Sequence, residues 1–334
     1  MFHRIPSLTA ALVTLLLAAC AGAPNATAKD DADLMAPAAT RVISAFDASK
    51  GELPEGLVIR GGNAFVGYAP TGEIVRVDLA GGGVTPFGSV PKPVPNLGFL
   101  TGLEVDSDSS VLAALVSFSR DVQPGIYRVP ATGGAATLFA KHADMAFPNG
   151  LVWDGAGKLF VTDSAAGAVF AITPTGEAVK WTSDAWLKGD KDYCGPGIGA
   201  AFDIGANGIV LRDGAFYVAN SDKAAIVKIP ILADGTAGTA EPFVSPDCEA
   251  LGGADGLALA PNGDIVVADN RQDKLVRVTP GGLVHVVSTG APLDFPASVA
   301  FAGSSLVTTS FALDRASSGG QAQPALVALP FRVR

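Results

Sequence analysis

The stretch GLALAPNGDIVVADNRQDKLVRV, from Gly256 to Val278, holds three short apolar runs separated by an Asn-Gly turn and a polar turn. A second stretch, GLVWDGAGKLFVTDSAAGAVFAI from Gly150 to Ile172, repeats this plan in the same frame. Short apolar runs between turns rich in glycine, asparagine and aspartate are typical of antiparallel strands joined in tight hairpins. A phrase that recurs within one chain predicts a repeat architecture.

Six copies of the phrase follow one another along the chain. Their starts are separated by 46, 48, 58, 48 and 42 residues. Aligned on the Gly-Leu step, they begin at Gly56, Gly102, Gly150, Gly208, Gly256 and, in a weaker copy, Ser298. A period of this length fits one four-stranded blade of a β-propeller. We therefore predict an all-β fold, a six-bladed β-propeller over residues 39–334. Two stacked β-sandwich domains are the alternative, which the regular period disfavours.

The last copy of the phrase is incomplete, because it lacks an outer strand. Residues 40–46 (TRVISAF) lie just before the first copy and have the composition of a lone outer strand. We expect this N-terminal strand to complete and close the last blade, since closing the ring leaves no exposed sheet edge.

The first residues form a separate targeting segment. An apolar run over residues 8–19 follows a short basic start and is too short to span a bilayer as a helix. It ends in Leu17-Ala18-Ala19-Cys20, which resembles the lipobox of bacterial lipoproteins. We predict a lipoprotein signal peptide over residues 1–19, lipid attachment at Cys20 and a flexible tether over residues 20–38. The protein would then be exported and anchored on the periplasmic side of a bacterial membrane; an ordinary signal peptide is the alternative.

The composition restricts the partners of the protein. A net charge of −9 argues against nucleic-acid binding, which needs a basic surface. A hydrophobic fraction of 49% excludes disorder as the main state. We expect a monomer that binds a small-molecule substrate and contacts the membrane only through its lipid anchor.

Two further cysteines, Cys194 and Cys248, lie in loops that lead into repeat copies. In an oxidising compartment, two such residues usually pair. We predict a disulfide between them; two free buried thiols are the alternative.

The residues directly before the repeat starts are predicted to meet around one axis, because the innermost strand of each propeller blade lines the central channel. They are Glu55, Thr101, Asn149, Asn207, Asp255 and, in the weaker copy, Ala297. Four of the six carry a carboxylate or amide oxygen, the kind of ligand that Ca²⁺ takes. Histidine and cysteine do not occur among them, which argues against zinc or copper. The alternative is that these residues serve only the turns, since Asn-Gly and Asp-Gly are common turn pairs.

These positions also carry a resemblance to a known family. The motifs are Pro54-Glu55-Gly56, Pro148-Asn149-Gly150-Leu151, Ala206-Asn207-Gly208-Ile209 and Ala254-Asp255-Gly256-Leu257. Through them, the chain from about residue 40 to residue 334 resembles the SMP-30/gluconolactonase/LRE-like superfamily of six-bladed propellers, which includes lactonases and paraoxonases. The resemblance implies a catalytic Ca²⁺ bound by Glu55, Asn149, Asn207 and Asp255, and hydrolysis of lactones or related esters.

Two residues are candidates for the general base of such a reaction. The resemblance implies Asp255, although a bound calcium ion would lower the basicity of its carboxylate. His142 is the second candidate. It lies seven residues before Asn149, in the loop that leads to the same end, or mouth, of the central channel. The alternative is a surface histidine without a role. For the whole protein, the alternative function is a non-catalytic, NHL-like propeller that binds a ligand or protein, because such propellers share the repeat.

Two more groups of residues lie near the predicted mouth. The residues that end the second strands of blades three to five are Asp163, Asn220 and Asp269. They most simply start the polar turns that follow. The aromatic residues of the long insertion before blade four are Trp181, Trp186 and Tyr193, which form either an apolar lid or surface packing.

Overall fold

Six antiparallel sheets follow one another along the chain, one for each copy of the repeat. They are seen in a computed structural model that describes residues 40–195 and 202–331. The innermost strand of each sheet contacts the innermost strands of its two neighbours, and the sixth returns to the first. The sheets therefore form a closed ring, and the predicted six-bladed β-propeller is confirmed. The predicted signal peptide, the tether and Cys20 lie outside the described residues.

From the axis outward, each blade has four main strands. Blade one consists of β2 (Pro54–Arg60), β3 (Asn63–Tyr68), β4 (Glu73–Asp78) and β5 (Val84–Ser89). Blade two consists of β6 (Gly98–Val105), β7 (Val111–Ser117), β8 (Gly125–Val129) and β10 (Thr137–Ala140). Blade three consists of β11 (Pro148–Trp153), β12 (Leu159–Asp163), β13 (Ala168–Ile172) and β14 (Ala178–Ser183). The short strand β9 (Gly134–Ala135) pairs in parallel with β5 and joins the outer edge of blade one.

The second half of the ring follows the same plan. Blade four consists of β15 (Ala206–Arg212), β16 (Ala215–Asn220), β17 (Ala225–Pro230) and β18 (Glu241–Val244). Blade five consists of β19 (Ala254–Leu259), β20 (Ile265–Asp269), β21 (Lys274–Val278) and β22 (Val284–Thr289). Blade six consists of β23 (Pro296–Ala302), β24 (Ser305–Ser310), β25 (Ala325–Pro330) and β1 (Arg41–Ala45).

Blade six is closed by strands from the two ends of the described chain. β1 pairs antiparallel with β25, with Arg41 opposite Ala328 and Ala45 opposite Ala325. The predicted closure by an N-terminal strand is confirmed. It covers the edge that β25 would otherwise expose.

The hydrophobic core lies between neighbouring blades. All seven residues of β7, VLAALVS, are buried. One core cluster packs Leu112 and Ile126 of blade two against Leu159 and Phe170 of blade three. A strand that is covered on both faces reads as a continuous apolar run rather than as an alternation. This is why the repeat appears in the sequence as short apolar phrases.

The repeated glycine marks the closest approach of neighbouring inner strands. A methyl group on Gly150 would lie 2.6 Å from the carbonyl oxygen of Asn207, and one on Gly208 would lie 2.3 Å from that of Asp255. The same close approach to the next blade occurs at Gly56, Gly102 and Gly256. A residue with a Cβ atom does not fit there, so the glycine of the repeat follows from the packing of adjacent blades around the axis.

Two short helices lie in the loops between strands. α1 (Cys248–Leu251) precedes β19, and α2 (Leu313–Ser318) follows β24. The side chain of Asp247 caps α1 by accepting the backbone N–H groups of Glu249 and Ala250. Within residues 40–195 and 202–331, no helix is both long enough and apolar enough to cross a membrane.

Cys194 and Cys248 form a disulfide, as predicted. The bond joins the long loop before blade four to the first residue of α1, before blade five. The two cysteines are 54 residues apart in the sequence, so the crosslink encloses all four strands of blade four.

We expect loss of this disulfide to lower the free energy of unfolding by about 2–4 kcal/mol, because the crosslink restricts a long loop of the unfolded chain. The Cys194→Ser/Cys248→Ser double variant and the wild type would be compared by urea denaturation. A reducing agent should lower the midpoint of the wild type and leave that of the double variant unchanged. Equal midpoints for oxidised and reduced wild type would contradict the prediction.

Candidate metal centre

A β-bulge sits at each of the six positions just before the repeat starts, which we call the ring positions. In every inner strand, the register shifts by one residue across the ring residue and the glycine or serine that follows it. In blade three, Pro148 lies opposite Asp163, whereas Leu151 already lies opposite Val161. A bulge interrupts the alternation of a strand and changes the direction of the side chains at that point. The bulges therefore set the directions in which the side chains of the ring residues point.

Four ring positions supply side-chain oxygens, from blades one, three, four and five. The exposed fractions of these residues are 6% for Glu55, 4% for Asn149, 4% for Asn207 and 7% for Asp255. The other two positions differ. Thr101 donates its hydroxyl to the carbonyl oxygen of Pro148 at 2.8 Å, which ties blade two to blade three, and Ala297 has no polar side-chain atom.

The residue just after each second strand supports the ring residue of its own blade in blades three to five. The hydrogen bonds run from Asn149 Nδ2 to Ser164 Oγ (3.1 Å), from Asn207 Nδ2 to Ser221 Oγ (3.0 Å) and from Asn270 Nδ2 to Asp255 Oδ2 (2.9 Å). In blades three and four, a serine hydroxyl oxygen accepts from the side-chain amide of the ring asparagine, and in blade five, the side-chain amide of Asn270 donates to the Asp255 carboxylate. These three supports fix the orientation of the ring side chains.

The two serines also connect each blade to the next. Ser164 Oγ donates to the carbonyl oxygen of Ala206 at 2.7 Å, and Ser221 Oγ donates to that of Ala254 at 2.7 Å. Each carbonyl belongs to the residue directly before the next ring residue. The position of one ring residue is therefore coupled to the backbone that carries the next.

Sequence reasoning missed the supporting residues Ser164, Ser221 and Asn270. A signal was present, because all three occupy one position of the repeat, directly after Asp163, Asn220 and Asp269. The position is polar only in the blades whose ring residue it supports. In blades one, two and six it holds Ala69, Phe118 and Phe311.

The two ring carboxyls lie in one electrostatic environment. Burial raises the pKa of Glu55 well above its ordinary value, and the charge of Asp255 raises it further. Burial also raises the pKa of Asp255 to about 7, although hydrogen bonds from Asn270 and Asn207 act to lower it. A buried pair of like charges favours either retained protons or a bound cation.

The ring residues fit a calcium ion. Glu55 Oε2 is buried and accepts no hydrogen bond from the part of the chain that the structure describes. The amide nitrogens of Asn149 and Asn207 are held by serines, which leaves the amide oxygens available as ligands. The described ranges contain no group of three or more His, Cys, Asp or Glu side chains that could hold a metal, so the ring offers a mixed set of two carboxylates and two amides. An oxygen-only set of this kind suits Ca²⁺.

The residues that end the second strands act on the turns, as expected. The Asp163 carboxylate accepts backbone N–H groups from two segments of blade three, Ala146 and Phe147 before β11 and Ala165 and Ala166 in the turn after β12. Asn220 Oδ1 accepts the backbone N–H of Lys223 in the turn after β16, and its Nδ2 donates to the carbonyl oxygens of Trp186 and Lys188 in the insertion before blade four. Asp269 differs, because it is fully buried 3.4 Å from Lys274 Nζ, and burial raises its pKa to about 7.

The structure does not bring His142 together with the ring residues. Its ring centroid lies 5.1 Å from that of Phe170, in the third strand of blade three, and Nδ1 accepts the backbone N–H of Asp144. Among the described residues, neither this hydrogen bond nor this aromatic contact involves a residue of the ring positions. A catalytic role for His142 stays a prediction.

Two of the three aromatic residues of the insertion, Trp181 and Trp186, pack against the core cluster of blades three and four. Trp181 lies in β14 and packs between Phe160 and Phe216, at 5.3 and 5.4 Å between ring centroids. Its Nε1 donates to the carbonyl oxygen of Gly235 at 2.9 Å. Trp181 therefore belongs to the packing between blades three and four.

We expect the metal-free protein to lose stability as the pH rises from about 4 through about 7. The pKa of Glu55 is raised by burial and that of Asp255 is raised to about 7, so the folded state holds protons that the unfolded state releases near pH 4. The stabilisation is complete below the unfolded pKa and is lost as the pH rises through the folded pKa.

Urea midpoints of chelator-treated protein across this pH range would measure the effect. Burial also raises the pKa values of Asp269 and Glu104 to about 7, with the same sign. The Asp255→Asn variant isolates the ring, because its midpoint should depend less on pH than that of the wild type. A wild-type midpoint that rises with pH would contradict the prediction.

Comparisons with known proteins agree with this architecture. Residues 204–311 match the sequence profile of the SMP-30/Gluconolactonase/LRE-like region. The matched stretch contains the ring residues of blades four to six, including Asn207 and Asp255. No curated protein sequence matches the chain significantly.

Several solved structures share the fold. A calcium-binding protein, regucalcin from Agrobacterium tumefaciens, is 20% identical and has a TM-score of 0.63, with 89% of this chain and 97% of that chain covered. A luciferin-regenerating enzyme is 14% identical with a TM-score of 0.64, covering 88% of this chain and 95% of that one. A protein proposed to be a gluconolactonase is 15% identical with a TM-score of 0.64, covering 90% of this chain and 94% of that one. At these identities the likeness shows the fold, and the predicted resemblance to the family is confirmed by the profile match over residues 204–311.

Proposed function

We propose, from the family signature in residues 204–311 and the ring geometry, that this protein is a calcium-dependent hydrolase of lactones or related esters. The observation that carries the proposal is the buried ring of Glu55, Asn149, Asn207 and Asp255, in which Glu55 Oε2 has no hydrogen-bond partner among the described residues. A propeller that only binds another molecule has no need for converging buried carboxyls whose pKa values are raised. The comparisons likewise do not favour a non-catalytic, NHL-like propeller.

Calcium would be held by the two carboxylates and two amide oxygens of the ring, with water completing the coordination. When bound, it would polarise the carbonyl of the substrate and stabilise the negative charge that develops on its oxygen. The three supports, Ser164, Ser221 and Asn270, would hold these ligands in place before substrate arrives.

Asp255 is the proposed general base. Asn270 Nδ2 fixes one carboxylate oxygen, so the other oxygen can accept a proton from an attacking water. The water oxygen forms a bond with the carbonyl carbon, the ring C–O bond of the lactone breaks, and the leaving oxygen receives the proton. The product is a hydroxy acid. His142 is the second candidate for the base.

We also propose that the protein is exported and anchored through Cys20 on the periplasmic side of a bacterial membrane. The lipobox motif Leu17-Ala18-Ala19-Cys20 supports this placement. The disulfide between Cys194 and Cys248 supports an oxidising compartment as well. We further propose that it acts as a monomer on a small molecule and does not bind nucleic acid.

Hydrolysis of a panel of lactones and simple esters, followed by acid release, tests the function. Activity should disappear with a chelator and return with calcium. Asp255→Asn should lower kcat by about a thousandfold or more, while His142→Ala should stay within about threefold of the wild type. A large loss in His142→Ala with a shifted pH profile would assign the base to His142, and calcium-loaded protein that hydrolyses no member of the panel would contradict the function.

A further inference from the structure

Two positions of the repeat frame each ring residue at the mouth of the channel. The first lies two residues before the ring residue and holds Leu53, Phe99, Phe147, Gly205, Gly253 and Phe295 in blades one to six. The second follows the second strand and holds Ala69, Phe118, Ser164, Ser221, Asn270 and Phe311. In every blade except the second, the backbone N–H of the second position donates to the carbonyl oxygen of the first. The two positions therefore form a collar directly outside the ring.

The collar has two chemically different sides. In blades four and five it consists of glycine, serine and asparagine, next to the ring residues Asn207 and Asp255. In blades six, one and two it is entirely apolar. On this apolar side, Thr101 and Ala297 provide no free oxygen ligand in blades two and six, and Glu55 of blade one is the one ring carboxylate.

The apolar side forms a continuous wall. Phe295 and Phe311 pack with Ala69 and with Ala297 of the ring itself, and Leu53 and Phe99 pack against this cluster. The wall continues to blade three, because the ring centroid of Phe99 lies 5.1 Å from that of Phe147.

Part of this wall reaches the surface. Phe118 is 43% exposed, and its ring lies 6.4 Å from that of Phe147. Phe147, Phe295 and Phe311 are buried behind it. An exposed phenyl group on an apolar wall, next to a buried polar site, is typical of ligand-binding surfaces, where the wall holds the body of the ligand and a few polar groups fix its orientation.

We propose that the substrate is a lactone or ester whose non-reacting part is an alkyl or aryl group, and that this part lies on the phenylalanine wall of blades six, one, two and three. The inference rests on the proposed hydrolase function. A polyhydroxylated substrate fits this collar poorly, because its hydroxyl groups would lose water against phenyl rings without gaining hydrogen bonds. The wall thus sets the specificity, while the oxygens of the ring and the polar side of the collar serve the reacting carbonyl.

The test uses two non-hydrolysable probes, a γ-lactam with an octyl chain and a γ-lactam with a polyhydroxylated chain of similar length. Their binding to calcium-loaded full-length protein would be measured by calorimetry, beside hydrolysis of the corresponding lactones. The octyl lactam should bind at least about tenfold more tightly than the polyhydroxylated one. Phe118→Ala should reduce this ratio about threefold or more. Leu138→Ala is the matched control, since Leu138 is 41% exposed on β10, the outer strand of the same blade, and should leave the ratio unchanged.

The outcomes separate this inference from the function on which it rests. Equal binding of the two lactams, tighter binding of the polyhydroxylated lactam, or an unchanged ratio in Phe118→Ala overturns the assignment of the wall, whatever the hydrolysis assay shows. A preference for the octyl lactam that Phe118→Ala weakens, without hydrolysis of any lactone, supports the wall and overturns the hydrolase function.

Discussion

Asp255→Ala is expected to abolish calcium binding at the ring and to lower kcat/KM for any lactone substrate by about a thousandfold or more. Asp255 contributes one of the two carboxylates, and its loss leaves Glu55 as the sole negative charge among the four proposed ligands. The variant also removes the acceptor for Asn270 Nδ2, which orients the site. Metal analysis of protein that has been stripped with a chelator and re-equilibrated with calcium would give the metal content per chain.

Asp264→Ala is the matched control for this experiment. Asp264 is also a buried aspartate of blade five, but it lies just before β20, at the opposite end of that strand from Asp269. Its carboxylate is engaged by Asn262 and Arg277. The control should keep its calcium even if its stability falls. If wild type binds no calcium, or if Asp255→Ala retains all of it, the ring oxygens serve only the turns and the metal site is refuted.

Gly208→Ala is expected to lower the free energy of unfolding by about 3 kcal/mol or more. The added methyl group would lie 2.3 Å from the carbonyl oxygen of Asp255, 2.7 Å from the amide nitrogen of Leu257 and 2.9 Å from the Cα atom of Gly256. All three atoms belong to the backbone of the next inner strand, so no side chain can move aside. The ring must open locally, and calcium binding should weaken together with stability because Asp255 is displaced.

Gly155→Ala provides the comparison for the glycine substitution. A methyl group at Gly155 meets no atom within 4 Å, so its midpoint in urea should stay close to that of the wild type. A Gly208→Ala variant that unfolds at the same urea concentration as Gly155→Ala would show that the inner strands separate easily, and that the repeated glycine is not required by blade packing.

Much of the fold could be predicted from the sequence because the repeated glycine and the apolar phrases both arise from blade packing. Five copies of the phrase carry the glycine that this backbone approach requires, and the sixth, with Ser298 in its place, is recognised by its apolar runs and the regular period. The closure by β1 followed from counting strands in the incomplete last copy. Composition and spacing carry this information without knowledge of side-chain directions.

The site was less accessible to sequence reasoning for physical reasons. The ring residues could be aligned, but the β-bulge that sets the direction of their side chains does not change the spacing of apolar residues in a recognisable way. Ser164, Ser221 and Asn270 share a repeat position, yet turn residues of the same types are common at strand ends. His142 is near Asn149 in the sequence, but only the structure could show that its ring packs on Phe170. Trp181 lies in one continuous stretch with Trp186 and Tyr193, whereas the phenylalanines of the apolar wall are spread over several blades, so no local segment of the sequence marks the wall.

The pairing of β1 with β25 also makes closure of the ring a late step of folding. β1 precedes blade one and its partner β25 follows all the other strands, so Arg41–Ala45 can pair only when nearly the whole chain is available. Until then, blade six has an open edge and the ring is incomplete. Contacts between distant parts of a chain form slowly, so closure is a late step of folding. After it, the six sheets form a single cooperative unit.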